Sequence, residues 1–367
     1  MNPRHVDILR RVVSAASAPF HEGAVVRIVR QWAEARGVDF ARDAAGNVVV
    51  HLAGRARGGD SPGGRWWLTA HMDHPAFAAT GQRGRTVRAI FRGTIAALYG
   101  PGERVRLHAP AGQVTAVVAD KRPAGIAAWW TCRLMLEAAA AVPPGTIGTW
   151  DVPAFALRGR RVAACACDDQ AGTAAVLCAL DELAERGAPA GASALLTRAE
   201  EAGFVGALAA CRLGTIPRGD YVLSVEASKA HAQAPLGGGA VVRVGDNTST
   251  FDPELTAHLW AAAGELARRD GELRFARALM PGGTCESTAF CACGYRAAAV
   301  CLPLANYHNQ GRGGRIAAER IDLGDFASLV ALLATVAGGG GEPGETSAAL
   351  RRRLDDLFAQ RRALLEE

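Results

Sequence analysis

Between Gly172 and Leu302 short apolar runs alternate with segments of helical periodicity, an order that few architectures accept. The helices read as Gly172–Arg186, Val205–Arg212 and Pro253–Arg269, and the strands as Ser193–Thr197, Tyr221–Val225 and Ala297–Leu302. A further apolar run, Trp66–Ala70, precedes them. Strands of this kind need cover, so the pattern predicts an α/β sheet with helices packed on its faces.

The flanking segments have other textures. Residues 5–36 carry apolar positions at helical spacing, interrupted by Ser17-Ala-Pro-Phe-His-Glu, and predict two helices joined by a turn. Asp43-Ala-Ala-Gly-Asn leads into the strand at Val48-Val-Val, and the Gly- and Arg-rich residues 54–64 read as a loop. From 77 to 161 short strands lie between Gly and Pro turns, at 87–91, 105–108, 113–118 and 160–164, which predicts a small β-rich domain. Within it, Trp129–Ala141 is also compatible with a helix. Phe326–Val336, apolar nearly all round, reads as a packed helix. Gly338–Gly341 then makes a flexible joint before a charged helix, Glu345–Glu367, with Leu350, Leu354, Leu357 and Phe358 on one face.

Composition excludes several classes. No run reaches the ~18 uninterrupted apolar residues of a membrane span; the best candidate, Ile126–Val142, is broken by Arg133 and Glu137. The first residues lack the basic-then-apolar pattern of a secretion signal, so a cytoplasmic protein is expected. The net charge of +5 rests on 41 basic against 36 acidic residues among 367. All the basic residues but Lys121 and Lys229 are arginine, scattered without the clustering that nucleic-acid binding requires. Nine cysteines, at spacings such as Cys165-Ala-Cys167 and Cys291-Ala-Cys293, fit neither a disulfide framework nor zinc-ribbon pairs. They read as reduced, mostly buried thiols.

Each apolar run ends in chemistry. His71 and Asp73 follow Trp66–Ala70; Asp168 and Asp169 follow Val162–Cys167; Glu200 and Glu201 follow Ala194–Ala199. Glu226 closes Tyr221–Val225, and His308 comes after the run through Leu302. Ligands of open α/β sheets bind beyond the carboxyl ends of the strands, so all five clusters are expected on one rim. Like charges about 4 Å apart repel by about 4 kcal/mol per pair at an effective dielectric near 20, and a bound divalent cation removes that conflict. Two imidazoles with several carboxylates suit zinc, with cobalt or manganese as alternatives. Singly, Asp169 also reads as the N-cap of a helix starting at Gln170, and Glu200-Glu201 as a solvated face. The ordered set carries the inference.

The order Ala70-His71-Met-Asp73, Cys167-Asp168-Asp169-Gln-Ala-Gly172, Arg198-Ala-Glu200-Glu201-Ala-Gly-Phe-Val-Gly-Ala207, Val225-Glu226 and Tyr307-His308 resembles the co-catalytic dizinc aminopeptidases. More narrowly it is similar to the tetrahedral aminopeptidase family, which includes glutamyl aminopeptidases and proteins once described as endoglucanases. Ser17-Ala-Pro-Phe-His-Glu-Gly, Asp43-Ala-Ala-Gly-Asn47, Leu236-Gly-Gly-Gly-Ala-Val-Val and Pro281-Gly-Gly-Thr284 extend the likeness over most of the chain. The resemblance implies a phosphorylase/hydrolase-like α/β fold. Residues 1–76 and 162–337 would form a three-layer zinc exopeptidase domain, 77–161 an inserted β-rich dimerisation domain, and 338–367 a linker and C-terminal helix.

It also implies two divalent metal ions per chain. Asp168 would bridge them, with a cis peptide bond to Asp169; His71 and Glu226 would complete one site, and Glu201 and His308 the other. Glu200 would be the general base, and Asp73 would fix the imidazole of His71. The implied activity is removal of N-terminal residues from short peptides by a homo-oligomer, built from dimers made by the insert and reaching twelve subunits. This chain departs from the family pattern in having Glu226 for the usual Asp, His74 for an acidic residue, and Gly282-Gly-Thr-Cys285-Glu286 for Gly-Gly-Thr-Asp. The contact of that missing Asp would pass to Glu286 or be lost. Rival readings are a dizinc amidase, deacylase or carboxypeptidase acting on N-acylated substrates, and a non-catalytic binding or assembly module. Three further features read as structural: His231 as a loop residue, Cys285 as a thiol without a His-Asn partner pattern, and Gly237-Gly-Gly239 as a turn.

Overall fold

The computed structural model describes residues 2–52, 64–125, 129–187, 192–339 and 343–365. The loop expected at 54–64 lies outside the described residues except for Gly64, as do two glycines of the expected joint, at 340 and 341. Helices α1 (Pro3–Val13) and α2 (Gly23–Arg36) open the chain, followed by strands β1 (Asp39–Arg42), β2 (Val48–Leu52) and β3 (Trp66–His71). Next come β4 (Ala76–Arg83), β5 (Thr86–Arg92), β6 (Arg104–Ala109), β7 (Gly112–Pro123), β8 (Trp130–Leu136) and β9 (Ile147–Trp150). Strands β10 (Ala156–Arg158) and β11 (Arg161–Ala164) lead into α3 (Gln170–Arg186), β12 (Ala192–Thr197), α4 (Val205–Leu213), β13 (Tyr221–Lys229) and β14 (Ala240–Asp246). The remainder is α5 (Pro253–Arg269), β15 (Phe275–Met280), α6 (Glu286–Ala292), β16 (Arg296–Leu304), β17 (Glu319–Asp322), α7 (Leu323–Ala337) and α8 (Pro343–Arg361).

Eight strands form the main sheet in the order β1-β2-β12-β3-β13-β16-β14-β15. Strands β12 and β13 run parallel to β3, and β16 parallel to β13, so these four share one carboxyl edge. Side chains on β3 alternate between two cores: Trp66 and Leu68 pack with α1, α2, α3, α5 and α7, while Trp67 packs with α4 and α6. That alternation is why apolar runs with no polar face were required, and it makes three layers. Each fully buried Leu or Val contributes about 1.5–3 kcal/mol, which makes the two-faced core the main source of stability.

Strands β4-β5-β8-β7-β6-β9 close into a barrel around Phe77, Phe91 and Trp150, whose ring centroids lie 4.9–5.6 Å apart. A Cβ on Gly148 would come within 3.1 Å of Leu107, Val105 and Phe77, so the barrel interior leaves no room there. The helical option for Trp129–Ala141 is corrected: β8 occupies it. Cys132, Leu134 and Leu136 point inward while Thr131, Arg133 and Met135 point outward, a period of two that suits a strand.

Strands β10, β11 and β17 make a small separate antiparallel sheet. The expectation that all five clusters end strands of one sheet is therefore corrected, because Asp168 is delivered by β11 from this second sheet. Glu226 lies inside β13, which continues to Lys229. Helix α8 lies against α5, yet Leu350, Leu354 and Phe358 remain exposed. The Gly237–Gly239 turn holds the protein's own carboxylate: the N–H groups of Gly237 and Gly239 each donate to Asp325 at 2.7 Å.

Candidate metal centre

At the carboxyl edge of β3 the chain leaves the sheet with His71 and Asp73 both buried. His71 Nδ1 donates to the backbone carbonyl of Asp73 at 3.1 Å, and the Asp73 carboxylate is 3.6 Å away. That carboxylate accepts from the backbone N–H groups of Glu200 (3.0 Å) and Glu201 (3.1 Å), so it holds the turn after β12. The turn is tight: Ala199 has φ +50°, and a Cβ on Gly206 would stand 2.4 Å from the Arg198 carbonyl oxygen.

His308 follows β16 through a segment in which Asn306, His308 and Asn309 all have φ between 54° and 60°. Left-handed conformations at non-glycine residues cost of order 1–3 kcal/mol each where the site is strained, and surrounding contacts must hold them. Here they do. His308 Nδ1 donates to the Thr94 carbonyl at 2.7 Å, Tyr307 stacks on its ring at 3.8 Å, and its backbone N–H donates to Glu319 at 2.8 Å. In both histidines the bond at Nδ1 fixes the tautomer that leaves the Nε2 lone pair facing the carboxylates.

His71 Nε2 lies 3.5 Å from Asp168 Oδ1 and 3.5 Å from Glu226 Oε1. His308 Nε2 lies 3.5 Å from Asp168 Oδ2 and 3.0 Å from Glu201 Oε1. Two ligands on one tetrahedral zinc at bonds of about 2.1 Å are separated by about 3.4 Å, so the spacing fits a shared cation on each side. Among the described residues buried Asp168 Oδ1 and His308 Nε2 have no hydrogen-bond partner, as ligand atoms would not. Glu200 Oε2 stands farther off, 3.9 Å from His71 Nε2. The triads His71, Asp168, Glu201; His71, Glu200, Glu226; and Asp168, Asp169, Glu226 each bring ligand atoms within 4.8 Å of one another.

The electrostatics agree with the geometry. Burial, then the charge of Asp168, pushes Glu226 up to about 8. Glu200 is raised well above the ordinary carboxylate range, first by burial and then by Glu226 and Glu201, against the pull of His71. Both imidazoles are raised although burial opposes it, because Glu200 and Asp168 around His71, and Glu201 and Asp168 around His308, favour the cation. A field that draws protons onto this cluster draws a dication more strongly.

Several supports have no sequence motif. Glu319, fully buried, accepts from the N–H groups of Cys167 (2.8 Å) and Asp168 (2.9 Å) with one oxygen and from His308 with the other, tying two distant segments together. Its signal was an acidic residue at an inward position of β17, in register with Ile321. Glu22 accepts from the Phe20 and Ala199 N–H groups and pairs with Arg198 at 2.7 Å. His74 Nδ1 donates to the Asp168 carbonyl at 2.6 Å, and its Nε2 lies 3.0 Å from Asn309. Asp169 stands at the N-cap position of α3 but its side chain caps nothing, which corrects that expectation, and the Asp168–Asp169 peptide bond is cis. Glu286 is buried with both oxygens unpartnered among the described residues, and burial pushes it up to about 7. A cavity of about 420 Å³ opens on the cluster, lined in part by Glu200, Glu226, Lys229, Arg243, Thr284 and His308. His231 faces Met280 instead.

Comparison with known proteins places this geometry. The TET1 peptidase of Pyrococcus horikoshii is 20% identical, with 91% of this chain and 99% of that chain covered and a TM-score of 0.73. A TET aminopeptidase from a marine-sediment Thaumarchaeota archaeon is 17% identical over 91% and 97% of the two chains, with a TM-score of 0.74. For an aminopeptidase from Desulfurococcus kamchatkensis the values are 19%, 94%, 97% and 0.73. These likenesses are of fold. No curated protein sequence matches the chain. Residues 135–332, more than half of the chain, match the family described as M42 glutamyl aminopeptidase, and that span carries every member of the cluster except His71 and Asp73. Sequence match and fold converge, and the chain belongs to the M42 glutamyl aminopeptidase family.

Proposed function

We propose that this metal-dependent aminopeptidase removes residues one at a time from the free amino ends of peptides, with two divalent cations, zinc foremost, held by His71, Asp168, Glu201, Glu226 and His308. The observation that carries the reading is the division of Asp168, whose two oxygens each stand 3.5 Å from a different histidine. When bound, the cations polarise the scissile carbonyl and acidify water.

The remaining steps belong to the chain. Asp168 would bridge the two positions; His71 and Glu226 would complete one set of ligands, and Glu201 and His308 the other. Glu200 takes a proton from the attacking water and returns it to the leaving amine as the C–N bond breaks. Its carboxylate, buried 3.9 Å from His71 Nε2 and outside the ligand set, stands where it can hold that proton between the two events. Asp73 positions Glu200 by accepting from its backbone N–H.

The β4–β9 barrel, which runs from Ala76 to Trp150 and makes up most of the expected insert 77–161, is proposed as the dimer contact of a cytoplasmic homo-oligomer. The Pyrococcus protein's assembly into a tetrahedron or an octahedral shell supports such association, and light scattering on the purified protein tests it. No described helix is long and apolar enough to cross a membrane.

The test is hydrolysis of free and N-acetylated aminoacyl anilides after reconstitution with zinc, cobalt or manganese. Free-amine substrates should turn over with about two metal ions bound per chain. Glu200→Gln should lower kcat by about 100- to 10,000-fold, the usual worth of a general base, while metal content stays the same. Cleavage of N-acetylated substrates alone would replace the reading with a deacylase, and no turnover without bound metal would leave a binding module.

A further inference from the structure

The two histidines of the cluster are held in different ways. His71 Nδ1 donates to the carbonyl of Asp73, two residues further along the same segment. His308 Nδ1 donates at 2.7 Å to the carbonyl of Thr94, which belongs to the barrel, in the connection 93–103 between β5 and β6. Thr94 lies outside the strand ladders, so its carbonyl has no sheet to fix it where the imidazole needs it.

The connection and the His308 segment pair in order, Thr94 with His308, Ala96 with Gln310 and Tyr99 with Gly311. The Ala96 N–H donates to Gln310 Oε1 at 3.1 Å, and Gln310 Nε2 donates to the Tyr307 carbonyl at 3.3 Å. One carboxamide thus links the turn that carries His308 to the connection that carries Thr94. The Tyr99 hydroxyl donates to the Gly311 carbonyl at 2.7 Å. The barrel anchors the other side: Ile95 is buried in its core, and Lys121 Nζ on β7 donates to the Ala96 carbonyl at 3.0 Å. Gly93 has φ +109°, and a Cβ there would come within 3.0 Å of Pro75, so the entry to the connection is tight. Neither Tyr99 nor Gln310 is among the residues that line the metal-site cavity, so contact with substrate does not account for them.

We infer that Tyr99 and Gln310 are positioning residues for the metal centre: they hold the Thr94 carbonyl against His308, so that the barrel sets the imidazole of one metal position. The other imidazole, His71, is set by its own strand end. The inference rests on the two-metal reading. An imidazole N–H that loses its acceptor in a buried site is destabilised, and its ring is free to turn or to take the other tautomer. Groups that orient metal ligands in this way govern metal affinity.

Metal-stripped full-length protein is titrated with zinc against a chelating indicator, for the unaltered chain, Tyr99→Phe, Gln310→Leu and the double variant. The unaltered chain should bind two equivalents. In Gln310→Leu and the double variant one equivalent should weaken by about 10- to 100-fold while the other stays within about threefold. Tyr99→Phe keeps the ring and its packing and loses only the hydroxyl; it should weaken the same equivalent by more than about threefold, and it decides the matter if Gln310→Leu does not fold. His308→Ala and His71→Ala identify the equivalents: the one weakened should be the one lost in His308→Ala.

Unchanged affinities for both equivalents in folded Tyr99→Phe and Gln310→Leu overturn the inference and leave the two-metal reading intact. Equal weakening of both also overturns it, since a general loosening of the fold gives that result. An unaltered chain that binds fewer than two zinc ions removes the two-metal reading and this inference with it.

Discussion

Replacing Glu319 by glutamine exchanges one acceptor oxygen for a donor at the point where β11 and the His308 segment are tied together. The carboxylate accepts three backbone N–H bonds of 2.8–2.9 Å, two from Cys167 and Asp168 and one from His308. A carboxamide has one oxygen. Turned toward Asp168 it leaves the His308 N–H facing an amino group, and turned toward His308 it leaves two N–H groups so. The smaller loss is one hydrogen bond to a charged acceptor, about 1.5–3 kcal/mol. Asp168 and His308 are both proposed ligands, so this loss should appear in metal affinity, as a weakening of about 10- to 150-fold if all of it is expressed there. That range agrees with the effect usual for groups that support metal ligands. Burial and Asp168 push Glu319 above the ordinary carboxylate range, against the pull of the backbone N–H groups it accepts. Bound dications favour the ionised form. Chelator competition should therefore show weaker zinc binding, while melting of the stripped variant moves little. A zinc affinity within twofold of the unaltered protein in both Glu319→Gln and Glu319→Ala, with both folded, would refute the reasoning.

Two further outcomes follow from the same geometry. Glu226 stands at about 8 in the folded chain against 4.5 for its ordinary value; between those values the folded state holds a proton that the unfolded state has released. Chelator-stripped protein should accordingly lose stability as pH rises from about 5 to 8. Zinc binding at pH 7 should release protons, visible as calorimetric heats that change with buffer ionisation enthalpy; a stability flat over that window or heats independent of buffer would oppose the assignment. Gly206→Ala would put a methyl group 2.4 Å from the Arg198 carbonyl oxygen and 2.6 Å from both the Arg198 nitrogen and Asn47 Oδ1. Overpacking of this kind costs about 1–3 kcal/mol, and urea midpoints together with kcat should both fall because the displaced turn carries Glu200.

The candidate ligands were legible in the chain because each is a chemically distinctive residue next to an apolar run. His71, Glu201, Glu226 and His308 arrive from four neighbouring strands of one sheet, and a local pattern of apolar run then charge suffices to mark them. Asp168 obeys the same local pattern but comes from a different sheet, since pairing of β11 with β17 is decided by residues about 160 positions apart and no short window contains it. The strand β8 was ambiguous for another reason. Its apolar positions alternate, but Trp130-Thr-Cys-Arg-Leu-Met-Leu also satisfies part of a helical repeat, and closure of the barrel decides between them.

What stayed hidden was the scaffolding. Glu22 and Glu319, and Asp73 in a role beyond the one expected of it at His71, act through carboxylates that accept backbone N–H groups, and an N–H group has no residue identity to read. Any acidic side chain at an inward position can serve, so the signal is an acidic residue on the buried face of a strand, as at Glu319, two residues before Ile321. Arg243 is the mirror case, a cation inside Ala240-Val-Val-Arg-Val, where the strand pattern calls for an apolar residue. Each breaks the local rule for its strand, and a buried group that breaks such a rule without a compensating partner nearby in sequence has its partner somewhere else. For Glu319 that partner is the backbone of two ligand segments; for Arg243 it includes the Ser228 hydroxyl and the charge of Glu226, both on β13.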